Sequence, residues 1–162
     1  MYSTKLLTVA ASATDREKAQ IYGFVYMIGV TSGHINKDKF FDFNRWLSQA
    51  IDYKQILLVF NKASIPLGFA TWANINDETQ QRFISDKGFS IHPLEWNEGE
   101  NTWIMDFYCP KGGARQMSRL IRDRLREEGV SRVSWKKDHN TNSMSLRKTI
   151  RSLSIDSKKQ LP

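Results

Sequence analysis

One carboxylate, Asp106, lies in the middle of the apolar segment 103–110, which otherwise has the composition of a buried strand. Burying an ionised carboxylate costs several kcal/mol unless a hydrogen bond or an opposite charge compensates it. The segment continues into Lys111-Gly112-Gly113 and then a helix, and backbone N–H groups at such a turn can hold an anion. This combination indicates a reaction site, whereas a carboxylate bonded to backbone amides or to a buried arginine is the purely structural alternative.

A histidine oriented by a carboxylate would form an acid–base pair with Asp106. The candidates are His34, in a loop punctuated by glycine, His92, before a proline, and His139, in a basic polar segment. His34 is favoured because the ends of two predicted helices would hold its loop. Strand alternation places Asp106 on the same face as Ile104 and Tyr108.

The single cysteine, Cys109, excludes an internal disulfide and favours a reducing compartment, which we expect to be the cytoplasm. No neighbouring residue type indicates that its thiol is activated, so we interpret it as a small buried apolar residue. No segment has the apolar length of a membrane span, so we expect no stable membrane anchor. No paired Cys or His at ligand spacing predicts a metal site.

The net charge of +7 is concentrated in residues 114–151, which hold 11 Lys/Arg and 4 Asp/Glu. Such a basic region implies an acidic partner. Within the predicted helix, four arginines recur at steps of four, three and four and therefore share one face. They are Arg115, Arg119, Arg122 and Arg126. This arginine strip is either a solvated face or a docking surface for a phosphate or an acidic protein.

Apolar periodicity predicts the secondary structure. The expected helices are 15–30, with Asp15 as N-cap, 38–53, a short helix 77–83 capped by Asn76, and 114–128, ended by Gly129. The expected strands are 55–61 and 67–75, as a hairpin, then 102–109 and 130–135, with a loop over 86–101 and a polar segment from Lys136. This order predicts an α+β fold with three α/β/α layers and a mainly antiparallel sheet. We expect one domain, 1–151, and a flexible tail, 152–162.

Three patches resemble motifs of the lysine acyltransferases that activate RTX (repeats-in-toxin) toxins. Thr31-Ser32-Gly33-His34-Ile35-Asn36 is similar to the family's Ser-x-x-His-x-Asn, and Thr71-Trp72-Ala73-Asn74 is similar to its Ser-Trp-Ala-Asn strand. Trp103-Ile104-Met105-Asp106-Phe107-Tyr108-Cys109-Pro110 is similar to its Trp-x-x-Asp-x-x-Ala-Pro. The patches occur in the family's order and at similar spacing, and the likeness spans roughly residues 20–128.

The resemblance implies an acyltransferase with the fold of the GCN5-related acetyltransferases (GNAT). It would move a fatty acyl chain from acyl carrier protein to internal lysines of an RTX protoxin, without a tightly bound cofactor, and the family's members are often homodimers. His34 and Asp106 would be the catalytic pair, with Thr31 and Asn36 in oxyanion or positioning roles. The chain departs from the family at Lys37 and Cys109, where tryptophan and alanine are usual, and it matches poorly beyond Trp135.

The chemistry of the residues agrees with this implication. A lysine amine is almost wholly protonated at neutral pH and must lose a proton before it attacks a thioester. His34 could take that proton while Asp106 stabilises the imidazolium, and an acyl-histidine intermediate is the alternative. The turn Lys111-Gly112-Gly113 and the arginine strip would receive the phosphate and the acidic surface of the carrier.

Two other functions compete with this one. An acyl-CoA-dependent GNAT-like enzyme would need a phosphate loop that is only partly present at 111–114. A basic nucleic-acid-binding module would use 114–151, but Trp135 is the only aromatic residue there and no nucleic-acid-binding motif occurs. We therefore expect no nucleic-acid partner.

Overall fold

The computed structural model of the chain describes residues 14–33, 40–86, 88–137 and 140–145, with the backbone alone at 40–42, 137 and 140–145. The described part contains four α-helices and five strands. The helices are α1 (Asp15–Ser32), α2 (Phe40–Asp52), α3 (Asp77–Ser85) and α4 (Ala114–Glu127). The strands are β1 (Ile56–Phe60), β2 (Pro66–Ile75), β3 (Asn101–Tyr108), β4 (Arg132–Lys137) and β5 (Asn140–Ser145).

The five strands form one sheet in the order β1-β2-β3-β4-β5. All neighbouring strands are antiparallel except β3 and β4, which are parallel and are joined through α4. A parallel pair needs such a crossover because its two strands run in the same direction. The sheet is therefore mixed but mainly antiparallel, as the sequence predicts.

Two cores cover the two faces of the sheet, because the strand side chains alternate between them. The α1/α2 face, which also includes Phe83 of α3, buries Phe69, Ala73 and Trp103 from β2 and β3. The α4 face buries other side chains from β1, β2 and β4 against α4. The strand residues are Leu57, Val59, Ala70, Trp72 and Val133, and the α4 residues are Met117, Ile121 and Leu125. Helix, sheet and helix thus form the three layers of the expected α+β fold.

Local capping sets the start of α1 and α3. Thr14, not Asp15, is the N-cap of α1, because its side chain accepts from the Glu17 N–H while Glu17 bonds back to the Thr14 N–H. Asp15 instead lies in the first turn, where a negative charge also favours the helix. Asn76 caps α3 as predicted, by accepting from the Thr79 N–H.

The structure corrects two further expectations. The polar segment that follows Lys136 contains a fifth strand, β5, paired antiparallel with β4. The predicted loop 86–101 contains a 3-10 turn, Pro93–Glu95, and the fully buried Trp96, whose backbone bonds to Asn74 of β2. The predicted tail, 152–162, lies outside the described residues.

Candidate functional site

A cleft opens in the sheet where β3 and β4 separate. Their parallel pairing covers only Thr102↔Val133, Trp103↔Ser134 and Ile104↔Trp135. Beyond Ile104 the strands part above α4 and leave a cavity of about 480 Å³. The side chains around it are mostly apolar. The lining residues are Ile104, Met105, Asp106, Phe107, Ser118, Ile121, Arg122, Val133, Trp135 and Lys136.

Asp106 lies at the mouth of this cleft, next to a β-bulge. Asp106 pairs with Thr71, but Ile104 pairs with the next residue of β2, Trp72, so Met105 is the extra residue. A bulge changes which way the following side chains point. Register therefore places Asp106 and Tyr108 on the α1/α2 face and Ile104 on the α4 face. The expectation that Ile104 shares a face with Asp106 is wrong, because uninterrupted alternation does not hold across the bulge.

The Asp106 carboxylate is half-buried and accepts a hydrogen bond from the N–H of Phe107 at 2.7 Å. This contact holds the carboxylate close to its own strand, where the pairing with β4 has already ended. The predicted partial burial of Asp106 is confirmed. A carboxylate in this place is accessible from the cleft and also lies under the layer formed by α1 and α2.

The proposed histidine partner, His34, lies outside the described residues, as do Asn36 and His139. His34 and Asn36 follow the end of α1 in the sequence, where Gly33 adopts a left-handed conformation with φ of 70°. Thr31, in the last turn of α1, donates its hydroxyl to the Met27 carbonyl of its own helix at 2.5 Å. His92 has a structural role, since its Nδ1 accepts from the Leu94 N–H at 3.2 Å in the 3-10 turn.

The turn between β3 and α4 leaves the start of α4 uncapped by any side chain. The Gly113 N–H donates to the Pro110 carbonyl at 2.9 Å, which closes the turn. Gly112 has φ of 86°, a conformation that glycine adopts without strain. Lys111 is exposed beside it. A turn with a cationic side chain beside it thus precedes α4, and its capacity to hold an anion stays a prediction.

The arginine strip lies on α4, on the side away from the sheet. Arg115 and Arg119 are exposed and form no ion pair with any residue of the described ranges. Arg126 bonds to Asp123 at 3.2 Å, and Arg122, which also lines the cleft, bonds through Nε to the Ser118 carbonyl. Arg115, Arg119 and Arg122 therefore carry positive charge that no ion pair within the described ranges compensates.

Burial shifts the pKa of two groups near the cleft. It raises the pKa of the Cys109 thiol, which packs against the core of the α4 face. This agrees with the interpretation of Cys109 as a packing residue. Burial lowers the pKa of Lys136, with Asp86 opposing the shift, and the ammonium group lies 3.9 Å from the centre of the Phe83 ring.

Sequence reasoning missed the apolar walls of the cleft, which come from Phe107, Ile121, Val133 and Trp135. The sequence pattern places each of them in a helix or a strand and indicates no shared site. The parallel β3-α4-β4 unit was the available signal, because ligands often bind where neighbouring strands of a sheet diverge. Among the described residues, no cluster of His, Cys, Asp and Glu could hold a metal ion. No helix in those ranges is long and apolar enough to cross a bilayer.

Several known proteins are similar to this chain in sequence. The RTX toxin acyltransferase (HlyC) family matches residues 14–151. The chain is 36% identical over 63 residues to a leukotoxin-activating lysine-acyltransferase of Mannheimia haemolytica, covering 39% of this chain and 36% of that protein. It is 28% identical over 79 residues to the RTX-I toxin-activating lysine-acyltransferase of Actinobacillus pleuropneumoniae, covering 49% and 45%.

The aligned part therefore spans less than half the length of each of these two relatives. Among solved structures, a GNAT-family acetyltransferase of Listeria monocytogenes superposes with a TM-score of 0.49 and 10% identity. That superposition covers 82% of this chain and 75% of the other.

Proposed function

Because the chain belongs to the RTX toxin acyltransferase family, we propose that it transfers a fatty acyl chain from acyl carrier protein to lysine side chains of an RTX protoxin. The relatives described above are named as toxin-activating lysine-acyltransferases, which supports an RTX protoxin as the acceptor. The observation that carries the proposal is the apolar cleft between β3 and β4, with Asp106 at its mouth.

The cleft suits an acyl chain. Its volume of about 480 Å³ is typical of ligand pockets, and its walls include Ile121 and Val133, which are buried, and Trp135, which is half-buried. Apolar walls stabilise a fatty chain by removing its surface from water. Arg122 and Ser118 at the cleft edge are polar and would face the carrier's phosphate-bearing arm.

The lysine amine would approach Asp106 from the α1/α2 face. Register places Asp106 on that face, while the cleft extends to the α4 face. The two substrates would then meet through the gap in the sheet, each arriving from its own side. Such an arrangement holds the reacting atoms together and lowers the entropic part of the barrier.

The reaction would proceed by general base catalysis. His34 removes a proton from the lysine ammonium group, and Asp106 stabilises the imidazolium that forms. The amine nitrogen attacks the thioester carbonyl carbon and loses its second proton to solvent, the C–S bond breaks, and the carrier's thiol leaves with the proton that His34 returns. Thr31, Asn36 or backbone N–H groups near the turn at 110–113 would hold the oxyanion in the tetrahedral intermediate.

The carrier would dock on the arginine strip. Arg115 and Arg119 are exposed and uncompensated, and they lie one and two turns into α4, next to Lys111 and the uncapped helix start. An acidic carrier surface would be attracted to these guanidinium groups, which also bind phosphate in a bidentate manner. The same end of α4 borders the cleft through Ser118 and Arg122.

The test is acyl transfer measured by intact-protein mass spectrometry. The purified chain is incubated with the M. haemolytica leukotoxin protoxin and either palmitoyl-loaded acyl carrier protein or palmitoyl-CoA. We expect acylated lysines with the carrier and little product with CoA. Turnover with CoA alone would favour a GNAT-like acyl-CoA enzyme, and no acylation with either donor would contradict the proposal.

The docking surface is tested separately by charge reversal. Arg115→Glu with Arg119→Glu should raise the KM for the loaded carrier about tenfold or more, and the effect should weaken with added salt. Arg16→Glu with Arg45→Glu is the matched control, since both arginines are exposed but lie on α1 and α2. Equal effects from the two pairs would show that only net charge matters.

A further inference from the structure

Thr71, in the middle of β2, has a hydroxyl group without a hydrogen-bond partner among the residues that the structure describes. The residue is 2% exposed, and its Oγ1 is buried with no donor or acceptor in reach among the described residues. Leaving a buried polar group unsatisfied is destabilising, and a valine would fill the same space without that cost. The fold therefore gains nothing from this hydroxyl, which points to a use outside packing.

Thr71 lies opposite Asp106, which belongs to the neighbouring strand β3. Thr71 pairs with Asp106 at the edge of the β-bulge, and opposite residues in an antiparallel pair have Cβ atoms about 5 Å apart. Thr71 shares a face with Phe69 and Ala73, and both of these residues pack in the core of the α1/α2 face. Asp106 lies on that face as well. This cross-strand separation is within the range in which facing side chains interact.

We infer that Thr71 is a positioning residue whose hydroxyl donates to the Asp106 carboxylate when the substrates occupy the site. The carboxylate is held at 2.7 Å by the Phe107 N–H of its own strand. A donor from β2 would add a contact that orients the carboxylate across the bulge, where the backbone ladder is interrupted. This inference rests on the proposed function, because it assigns Thr71 a role only through Asp106.

Because the Thr71 hydroxyl is unsatisfied, its removal should affect stability and activity in opposite directions. Thr71→Val should fold at least as stably as the wild type, since it removes an unsatisfied group at nearly constant volume. Its kcat for transfer from palmitoyl-loaded acyl carrier protein should fall about tenfold, the loss expected for a hydrogen bond to a charged group. Thr71→Ser keeps the hydroxyl and should restore most of the kcat.

A double-mutant cycle separates this role from simple packing. In an Asp106→Asn background, Thr71→Val should cause little further loss, because the carboxylate that the hydroxyl positions is already gone. Melting temperatures of all variants are recorded alongside the kinetics.

Three results would overturn the inference: a clear drop in melting temperature for Thr71→Val, unchanged kcat in that variant, or independent losses in the cycle. The failure of the proposed function has a different signature. If Asp106→Asn itself retains full activity, the catalytic assignment is wrong, whereas a dead Asp106→Asn with a fully active Thr71→Val rejects only the role of Thr71.

Discussion

The two edges of β3 differ in how completely they are paired. On one side, β3 joins β2 through seven residue pairs from Asn101 to Tyr108, interrupted only by the bulge. On the other side, it joins β4 through three pairs and then separates from it. The first edge builds a continuous sheet with a core on each face, and the second leaves the cleft. One strand thus contributes to the stability of the fold with one edge and to the candidate site with the other.

This difference shows why the acid can remain partly accessible in an apolar strand. Asp106 lies two residues beyond the last pair with β4, so the site opens where the ladder ends. The bulge opposite Thr71 turns the carboxylate toward the α1/α2 face while Phe107 remains on the α4 face. The edge of β3 that faces β4 is thus an open edge, and the edge that faces β2 is a closed edge.

Asp106→Asn on the open edge should have the largest effect. The amide keeps the shape of the side chain but cannot stabilise an imidazolium, so acyl transfer should fall about a thousandfold. The measurement is the rate of protoxin acylation, with circular dichroism to confirm the fold. Asp86→Asn is the matched control, because Asp86 is exposed at the end of α3 and does not line the cleft.

His34→Ala should match the Asp106→Asn loss if the two side chains act as a pair. The double variant should then be no slower than either single variant. Independent, multiplying losses would contradict the pairing.

Gly68→Ala on the closed edge should destabilise the fold. A Cβ atom on Gly68 would lie 2.5 Å from the Tyr108 carbonyl oxygen, so β2 and β3 would have to move apart. We expect a loss of about 1–3 kcal/mol in the free energy of unfolding, measured by urea titration. Gly23→Ala is the control, since a Cβ there meets no atom within 4 Å and alanine favours the helix. Equal stability of the two variants would show that the close approach of Gly68 to the Tyr108 carbonyl does not limit the stability of the fold.

Substitution of Glu95, in the 3-10 turn, should have a smaller effect on stability, and that effect should depend on pH. Burial raises its pKa, but the His92 N–H and the Arg82 guanidinium outweigh this and lower it overall. Because the folded pKa lies below the unfolded one, the stabilisation is present above the unfolded pKa and is lost as the pH falls through the folded value. Glu95→Gln should therefore cost about 1 kcal/mol or less near neutral pH, and the melting temperatures of variant and wild type should converge as the pH falls below the folded pKa of Glu95. A constant difference at all pH values would contradict this assignment.

Much of the fold was predictable because the packed elements have strong periodicity. Ile21, Val25 and Ile28 of α1, and Leu47 and Ile51 of α2, are buried at helical spacing. The runs Ile56–Phe60 and Pro66–Ile75 pair as the expected hairpin. In these elements the local pattern and the tertiary burial agree.

Other features were not predictable because they depend on pairing partners. Strand β5, Asn140–Ser145, has almost no apolar alternation and is recognisable only through its pairing with β4. The bulge at Met105 arises from the register with β2, which a single strand does not reveal. Trp96 is fully buried although it lies in a segment with the composition of a loop. At the candidate site, Asp106 was identifiable as a charge in an apolar run and Thr71 as part of a motif, but the pairing of the two residues and the cleft walls were not.

The most direct test locates the acyl chain itself. Acyl carrier protein is loaded with a fatty acid that carries a terminal diazirine, mixed with the chain, irradiated, and the adducts are mapped by mass spectrometry. The account predicts adducts within 104–107, 117–125 and 133–136, the three segments around the cleft. Adducts confined to α1, α2 or β1, or no adduct that depends on the carrier, would contradict it.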